Sequence, residues 1–148
     1  MMRSTLILFI LLLTLAACKS SQKATAEAAT TQTDMANAPL TDTKWYLTEI
    51  NGQPVDREEN IPHLTFTEAS SVGGHGGCNS FGGTYEINDN NRLSFGPMYR
   101  TEMYCTGRME VEDALMEVFE KTDSYVIVGN ALHLHRAKMA PLAIFKSR

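Results

Sequence analysis

The sequence predicts an α+β fold, built mostly of antiparallel β-sheet with one late α-helix. Short segments in which apolar and polar residues alternate recur along the chain after residue 43, and Asn, Asp and Gly residues separate them. A single stretch, residues 109–122, instead has apolar residues at helical spacing. With 148 residues, of which 43% are hydrophobic and 20% charged, the chain has the size and composition of one globular domain.

The first strands are predicted by alternation on either side of a strong turn signal. Residues 44–50 alternate and end at Asn51-Gly52, a dipeptide typical of tight turns. Residues 64–67 alternate again, with two apolar residues on one face and two threonines on the other. A glycine-dense stretch follows at residues 73–83. We interpret these glycines as bends and close backbone packing in a curved sheet, because neither a Lys-Ser/Thr pair nor a helix start accompanies them as in a phosphate-binding loop.

The second half of the chain predicts further strands and the helix. Strands are expected at residues 84–87, 92–95, 98–104, 125–128, 131–135 and 142–145. The apolar face of the predicted helix carries Val111, Ala114, Leu115, Val118 and Thr122. The opposite face carries Glu110, Asp113, Glu117 and Glu120. We interpret this acidic stripe as a solvated face, with a docking surface as the alternative. Acidic residues near the start of the helix, Glu112 among them, interact favourably with the positive end of the helix dipole.

The first eighteen residues have the pattern of an export signal. Arg3 precedes an apolar run over residues 6–17 that is too short to span a bilayer stably. The segment Leu15-Ala16-Ala17-Cys18 resembles the lipobox of bacterial lipoproteins, which implies that Cys18 becomes the first mature residue and carries acyl chains such as palmitate. The alternative is an ordinary secretory signal cut nearby, with Cys18 left free.

Charge and composition extend the prediction to domains and location. Residues 19–39 are rich in Ala, Thr, Ser and Gln, so we expect residues 1–17 to be a signal peptide, 18–39 a lipidated cysteine with a flexible tether, and 40–148 the folded domain.

With 17 acidic against 13 basic residues, a nucleic-acid partner is not expected. The same acidity means that lipid must hold the domain at the membrane. Lys19 follows Cys18 where the lipobox resemblance implies Asp for inner-membrane retention, so the outer membrane, with the domain facing the periplasm, is predicted.

One motif resembles a known family. The segment Gly77-Cys78-Asn79-Ser80-Phe81-Gly82-Gly83 is similar to the central signature of the META domain, the family that includes the HslJ heat-shock lipoproteins. Other matches follow in the same order: Trp45-Tyr46-Leu47, Leu64-Thr65-Phe66, Thr101-Glu102-Met103-Tyr104-Cys105 and Gly129-Asn130-Ala131-Leu132-His133-Leu134. The motif positions carried over as structural are Gly77, Cys78, Asn79, Phe81, Gly82, Thr101, Met103 and Cys105. Glu102 departs from the pattern, since many relatives are expected to carry a basic residue there.

The resemblance implies a small incomplete, or cracked, β-barrel with the helix packed across it. It also implies that the chain is an envelope protein. Members of the family have no settled biochemical activity, and some are linked to stress or antibiotic tolerance. It spans residues 41–146. Because a fold does not determine a function, the individual residues must be weighed separately.

Cys78 and Cys105 are the two cysteines of the predicted mature domain apart from Cys18. In an oxidising compartment two thiols favour a disulfide. Closing a loop of about 27 residues would stabilise the domain by roughly 3–4 kcal/mol. Two reduced core cysteines, or redox or metal chemistry, are the alternatives.

Other candidate sites are weaker. His75 lies three residues before Cys78, and His133 and His135 share one side of a strand, but a zinc site needs further ligands, so no metal and no cofactor are predicted. Nothing in the spacing supports Cys78 as a nucleophile, so no catalytic residue is predicted. Asn79 is expected to bond nearby backbone within its own glycine-rich turn. Trp45 is expected in the core or at its rim.

The sequence thus predicts a non-enzymatic envelope lipoprotein, favoured as a monomer. Its partners would be the membrane, through the lipid, and an envelope protein. Its role would be to bind that protein or to support envelope assembly under stress. One alternative is a binder of a small apolar ligand, such as a lipid, inside the open barrel. The other is a hydrolase or redox enzyme.

Overall fold

The computed structural model describes residues 36–55 and 59–148 of the chain. The predicted signal peptide, the lipidation site at Cys18 and most of the predicted tether lie outside these residues. Within them, contacts to the folded domain begin at Asn37, whose side-chain oxygen accepts the backbone N–H of Gly129 at 2.8 Å. No helix of the described residues is long and apolar enough to cross a membrane.

Ten strands and one helix make up the described domain. The strands are β1 Lys44–Ile50, β2 Gln53–Pro54, β3 His63–Phe66, β4 Ser71–His75, β5 Ser80–Asn88, β6 Arg92–Phe95, β7 Tyr99–Arg100, β8 Ser124–Val128, β9 Ala131–His135 and β10 Ala143–Lys146, and the helix α1 is Met109–Lys121. This composition confirms the predicted mostly antiparallel sheet with one late helix.

The strands close into a ring. The sheet runs in the order β10-β9-β8-β6-β5-β4-β3-β1-β2, and β10 also pairs with β1, while β7 pairs with β5 off this path. All of these strand pairs are antiparallel. The ring is thinnest between β6 and β8, where the register has the single residue pair Arg92 and Ser124.

The glycine-dense stretch forms a β-hairpin, in which Gly74 packs closely against neighbouring backbone as predicted. Strands β4 and β5 pair from Ser71 with Thr84 to His75 with Ser80, so β5 begins four residues before the predicted strand at residue 84. Glycine has a low strand propensity, which hides these strands from a sequence pattern. The structure needs it nevertheless, because a Cβ on Gly74 would lie 2.0 Å from the backbone oxygen of His63 on the neighbouring strand.

Large side chains fill the space between the sheet and the helix. Trp45, Phe66, Phe119 and Phe145 have at most 1% of their surface exposed. The Phe119 ring of the helix lies 5.2 Å from the Phe81 ring. Trp45 lies in the core, one of the two positions expected for it, and its indole N–H donates to the Leu40 oxygen at 2.9 Å.

The helix begins at Met109 as predicted and ends one residue earlier than residue 122. Its acidic stripe, Glu110, Asp113, Glu117 and Glu120, is exposed as expected. The buried face differs from the prediction, because Glu112 and Phe119 are buried while Val111 and Ala114 are only partly buried. Glu112 is fully buried beside Leu115 and Phe119, although an ionisable side chain is costly to remove from water without partners.

Candidate functional site

The hairpin turn between β4 and β5 lies directly against the helix, and two glycines make that possible. Gly77 has a φ of +106°, a backbone conformation that residues other than glycine rarely adopt. A Cβ on Gly76 would lie 2.6 Å from Cγ of Glu112. The turn itself is closed by a hydrogen bond from the N–H of Gly76 to the oxygen of Asn79, at 2.8 Å.

The buried Glu112 carboxylate binds this turn. Its Oε2 accepts the backbone N–H of Asn79 at 2.6 Å and that of Cys78 at 3.3 Å. Its Oε1 accepts the Asn79 side-chain N–H at 2.7 Å and an Arg100 guanidinium N–H at 3.3 Å. Arg100 also pairs with Asp113 at 2.6 Å. These donors and the one cation replace the water that the carboxylate loses on burial.

The Asn79 side chain joins the turn to a segment that lies far along the chain. Its Nδ2 donates to the Met103 oxygen at 2.9 Å, and its Oδ1 accepts the Met103 N–H at 2.7 Å and the Thr101 hydroxyl at 2.8 Å. The expectation that Asn79 bonds backbone within its own turn was therefore wrong. The physical reason is that Glu112 already accepts the N–H groups of that turn, so the amide is left to bind residues 101–103.

A disulfide adds a covalent link at the same place. Cys78 and Cys105 are bonded, with their Cα atoms 5.8 Å apart. Arg108, just before the helix, donates to the Gly77 oxygen at 3.2 Å. We call residues 99–105 the pinned loop, because side-chain bonds, backbone bonds and the disulfide hold it to the turn. The structure thus brings the predicted motif residues 77–82 and 101–105 together.

The pinned loop presents large side chains to solvent. Tyr99, Met103 and Tyr104 are 71%, 58% and 82% exposed. The Tyr99 ring lies over Gly82, where an added Cβ would meet the phenol oxygen at 2.5 Å. Together with Asn79 and the exposed Glu102, these residues line an open groove of about 590 Å³. The groove therefore combines exposed aromatic and methionine side chains with a backbone that hydrogen bonds and the disulfide hold in place.

His133 and His135 lie away from this site, on the outer face of the sheet. The His133 and His135 rings are stacked 6.1 Å apart, which agrees with the predicted shared side of the strand. His75 and Cys78 do not form a metal pair, because the Cys78 sulfur is in the disulfide and the His75 Nδ1 accepts the Gly77 N–H at 3.0 Å. Within residues 36–55 and 59–148, no group of three or more His, Cys, Asp or Glu side chains is placed to hold a metal.

Glu112, Arg100 and Arg108 were missed as site residues by the sequence pattern. For Glu112 a signal existed, since it precedes Leu115 by three residues and Phe119 by seven, the spacing of one helix face. An acid at that spacing on an apolar face indicates a buried charge that needs partners. Arg100 and Arg108 carry no comparable signal, because their partners on the helix and in the hairpin turn are distant in sequence and meet them only in the folded domain.

Comparison with known proteins gives the family. The META domain model matches residues 38–148, and the chain therefore belongs to the META domain family. A bacterial relative is Heat shock protein HslJ of Escherichia coli strain K12, which is 27% identical over 97 residues, or 64% of this chain and 68% of that protein.

Solved structures share the fold. An NMR structure of a protein 26% identical to this chain superposes with a TM-score of 0.60, covering 72% of this chain and 90% of that one. An NMR structure from Burkholderia xenovorans gives a TM-score of 0.59 at 23% identity, covering 74% of this chain and 83% of that one. A crystal structure of a DUF4847 family protein from Bacteroides vulgatus gives 0.55 at 12%, covering 72% and 93%. At these identities, the latter two show the fold alone.

Proposed function

We propose that this protein is a non-enzymatic lipoprotein of the bacterial envelope that binds a protein partner through the pinned loop. Acyl chains on Cys18 hold it at the outer membrane, and its domain faces the periplasm, where it supports envelope assembly under stress. The export pattern before Cys18 supports the anchor. The Cys78–Cys105 disulfide suits an oxidising compartment. The name of the HslJ relative supports a connection with stress.

The observation that carries the binding proposal is the exposure of Tyr99, Met103 and Tyr104 on a fixed backbone. Aromatic residues and methionine are enriched in protein interfaces, where a few such side chains supply most of the binding energy. Because the disulfide and the Asn79 bonds already order the loop, binding loses little further backbone entropy. A patch of this kind on a flexible loop would bind more weakly.

The charge of the surface indicates the chemistry of the partner. Glu102 is exposed between these apolar side chains, and the chain carries a formal net charge of −4. Lys and Arg side chains of a partner can pair with Glu102 and stack on the faces of the exposed tyrosines. The proposed partner is therefore a protein segment with apolar residues flanked by basic ones.

The interior of the ring offers less support to the alternative of a bound apolar ligand. The core positions that would line such a site are occupied by Trp45, Phe66, Phe119 and Phe145, which pack against each other and the sheet with at most 1% exposure. The grooves lined by the described residues are open to the surface. An enzyme using Cys78 as nucleophile has no support either, because that sulfur is bonded to Cys105.

Site-specific photo-cross-linking in the native envelope tests the proposal. A photoreactive residue replaces Tyr104, and in the matched control it replaces Val128, which is 63% exposed on β8. The proposal predicts one discrete protein adduct at position 104 that position 128 does not give. The same adduct at both positions, or none at position 104, would contradict it.

Binding of the captured protein, once purified, tests the chemistry. Glu102→Lys reverses the charge at the surface and should weaken binding at least tenfold, whereas Glu86→Lys, an exposed site on β5, should change it less than twofold. Equal effects of the two substitutions would overturn the proposed partner chemistry. The anchor is tested separately by palmitate labelling, which Cys18→Ser should abolish.

A further inference from the structure

We propose that His133 and His135 form a two-histidine site for a transition-metal ion, with preference for Cu²⁺, on the outer face of β9. Residues two apart on a strand point to the same side of the sheet. The two rings stand nearly parallel, at an interplanar angle of 13° with centroids 6.1 Å apart. Histidine is the commonest metal ligand among protein side chains, through either ring nitrogen.

The hydrogen bonds of the two rings leave lone pairs available. The Nδ1 of His135 lies 3.1 Å from the Met139 oxygen. Since a carbonyl oxygen only accepts, this nitrogen carries the proton in the neutral ring, and Nε2 of the neutral His135 ring has a free lone pair. A metal-ligating histidine usually donates its other N–H in this way. Among the described residues no group hydrogen-bonds the His133 ring, so this ring can turn toward its neighbour.

The surroundings favour a bound cation. Glu49 pairs in register with Ile144 of β10, which in turn pairs with His133, so a carboxylate lies two strands from the site. Its negative charge attracts a divalent ion to this face of the sheet.

The chain contains a second histidine pair that serves as an internal control. His63 and His75 are register partners on β3 and β4, with rings 6.2 Å apart and 11° from parallel. The His75 Nδ1 accepts the Gly77 N–H at 3.0 Å, so in the neutral ring the proton sits on Nε2. Binding a metal there requires breaking that bond. The two histidine pairs therefore have similar distances between their rings. They differ in that a lone pair of His75 is already engaged by a hydrogen bond.

The ligand set determines which ion is favoured. Imidazole nitrogen suits copper, nickel and zinc, and affinity among first-row divalent ions peaks at Cu²⁺. Two protein ligands leave the other coordination positions to water or to an added small ligand. The site is therefore expected to bind reversibly and more weakly than a site with three or four protein ligands.

Calorimetric titration of the full chain with Cu²⁺ tests the site, using protein purified in detergent without an affinity tag. His133→Gln and His135→Gln should each weaken Cu²⁺ binding at least about tenfold, since losing even an outer-shell partner of a metal site costs 10–100-fold. The paired control His63→Gln with His75→Gln should stay within about twofold of the unmodified chain. Retained affinity in His133→Gln, or an equal loss in the control, overturns the proposal.

Electron paramagnetic resonance of the unmodified chain with one equivalent of Cu²⁺ gives a readout that depends on no variant. The proposal predicts hyperfine coupling to two imidazole nitrogens. Coupling to one nitrogen or to none would overturn it.

Discussion

The Glu112 carboxylate accepts the backbone N–H of Asn79 at 2.6 Å, across 33 residues of sequence and with no exposed surface of its own. The bond fixes the β4–β5 turn on the helix. Asn79 in turn holds Met103 by a pair of hydrogen bonds, of 2.7 and 2.9 Å. One buried acid thus positions the loop whose outer side chains form the proposed recognition surface.

Removing the charge of Glu112 should destabilise the domain. Glu112→Gln replaces one acceptor oxygen by an NH₂ group that must face a donor, so a buried charge-assisted bond is lost and Arg100 loses its buried partner. We expect the free energy of unfolding to fall by about 3 kcal/mol. Urea unfolding measures the change. The exposed Glu120→Gln on the same helix should change it by less than about 0.5 kcal/mol, and a similar loss in both variants would contradict the assignment.

The contact between Gly76 and Glu112 should appear as strong coupling. Gly76→Ala places a Cβ 2.6 Å from Cγ of Glu112 and should cost about 1–3 kcal/mol of stability by overpacking. In a Glu112→Ala background the obstructing side chain is gone, so the added methyl group should cost close to nothing. A double-mutant cycle on urea midpoints measures this coupling, and additive effects would show that the two residues do not touch.

Reduction of the disulfide should lower stability without destroying the fold. The bond between Cys78 and Cys105 spans 27 residues, and a closed loop of that length contributes about 3–4 kcal/mol through the entropy of the unfolded chain. Unfolding in urea with and without a reductant measures the difference. The double variant Cys78→Ala with Cys105→Ala should show no response to reductant. If the reductant lowered the stability of this double variant, the loss of stability in the unmodified chain could not be assigned to the Cys78–Cys105 disulfide.

Asp123 should contribute a pH-dependent share of stability. Hydrogen bonds from the Ser124 hydroxyl and the Ala137 N–H hold the pKa of Asp123 below its usual value, with Arg92 adding to the effect. A carboxyl whose pKa is lower in the folded state stabilises the protein above the unfolded pKa, and this is lost as pH falls through the folded pKa.

Asp123→Asn should therefore lower stability by about 0.5 kcal/mol at pH 7, a modest figure because the side chain is partly exposed. The difference between variant and unmodified chain should shrink below pH 4. Unfolding midpoints measured from pH 7 to pH 3 follow it, and a difference that grows on acidification would contradict the sign.

The alternation of apolar and polar residues predicted those strands that have one face toward the core and the other toward solvent. Strands β6 and β9 lie at the predicted residues, because core and solvent faces impose a period of two on the sequence. The β4–β5 hairpin escaped this pattern, since Gly74 and Gly82 are required by close neighbours, the His63 oxygen and the Tyr99 ring. Strands approach each other closely only in the assembled sheet. This approach therefore produces no periodic pattern of apolar and polar residues in the sequence.

The sequence predicted part of the site, including its disulfide, but not the hydrogen bonds that Glu112 accepts. The resemblance named Asn79, Cys78 and Cys105, and the structure places them together. The direction of the Asn79 side chain depended on Glu112, which the helix pattern placed only as a favourable acid near the helix start. A buried charge is stable only with its partners, and the partners of Glu112 in the hairpin turn lie 33 and 34 residues earlier in the chain.

Hydrogen exchange at the Met103 amide tests whether Asn79 and Glu112 hold the pinned loop in place. The Met103 side chain is 58% exposed, yet its N–H donates to Asn79 Oδ1 at 2.7 Å. We expect slow exchange of this amide in the unmodified chain and exchange at least about tenfold faster in Asn79→Ala with the disulfide intact. Exchange at the rate of an unstructured amide in the unmodified chain, or no acceleration in the variant, would contradict it.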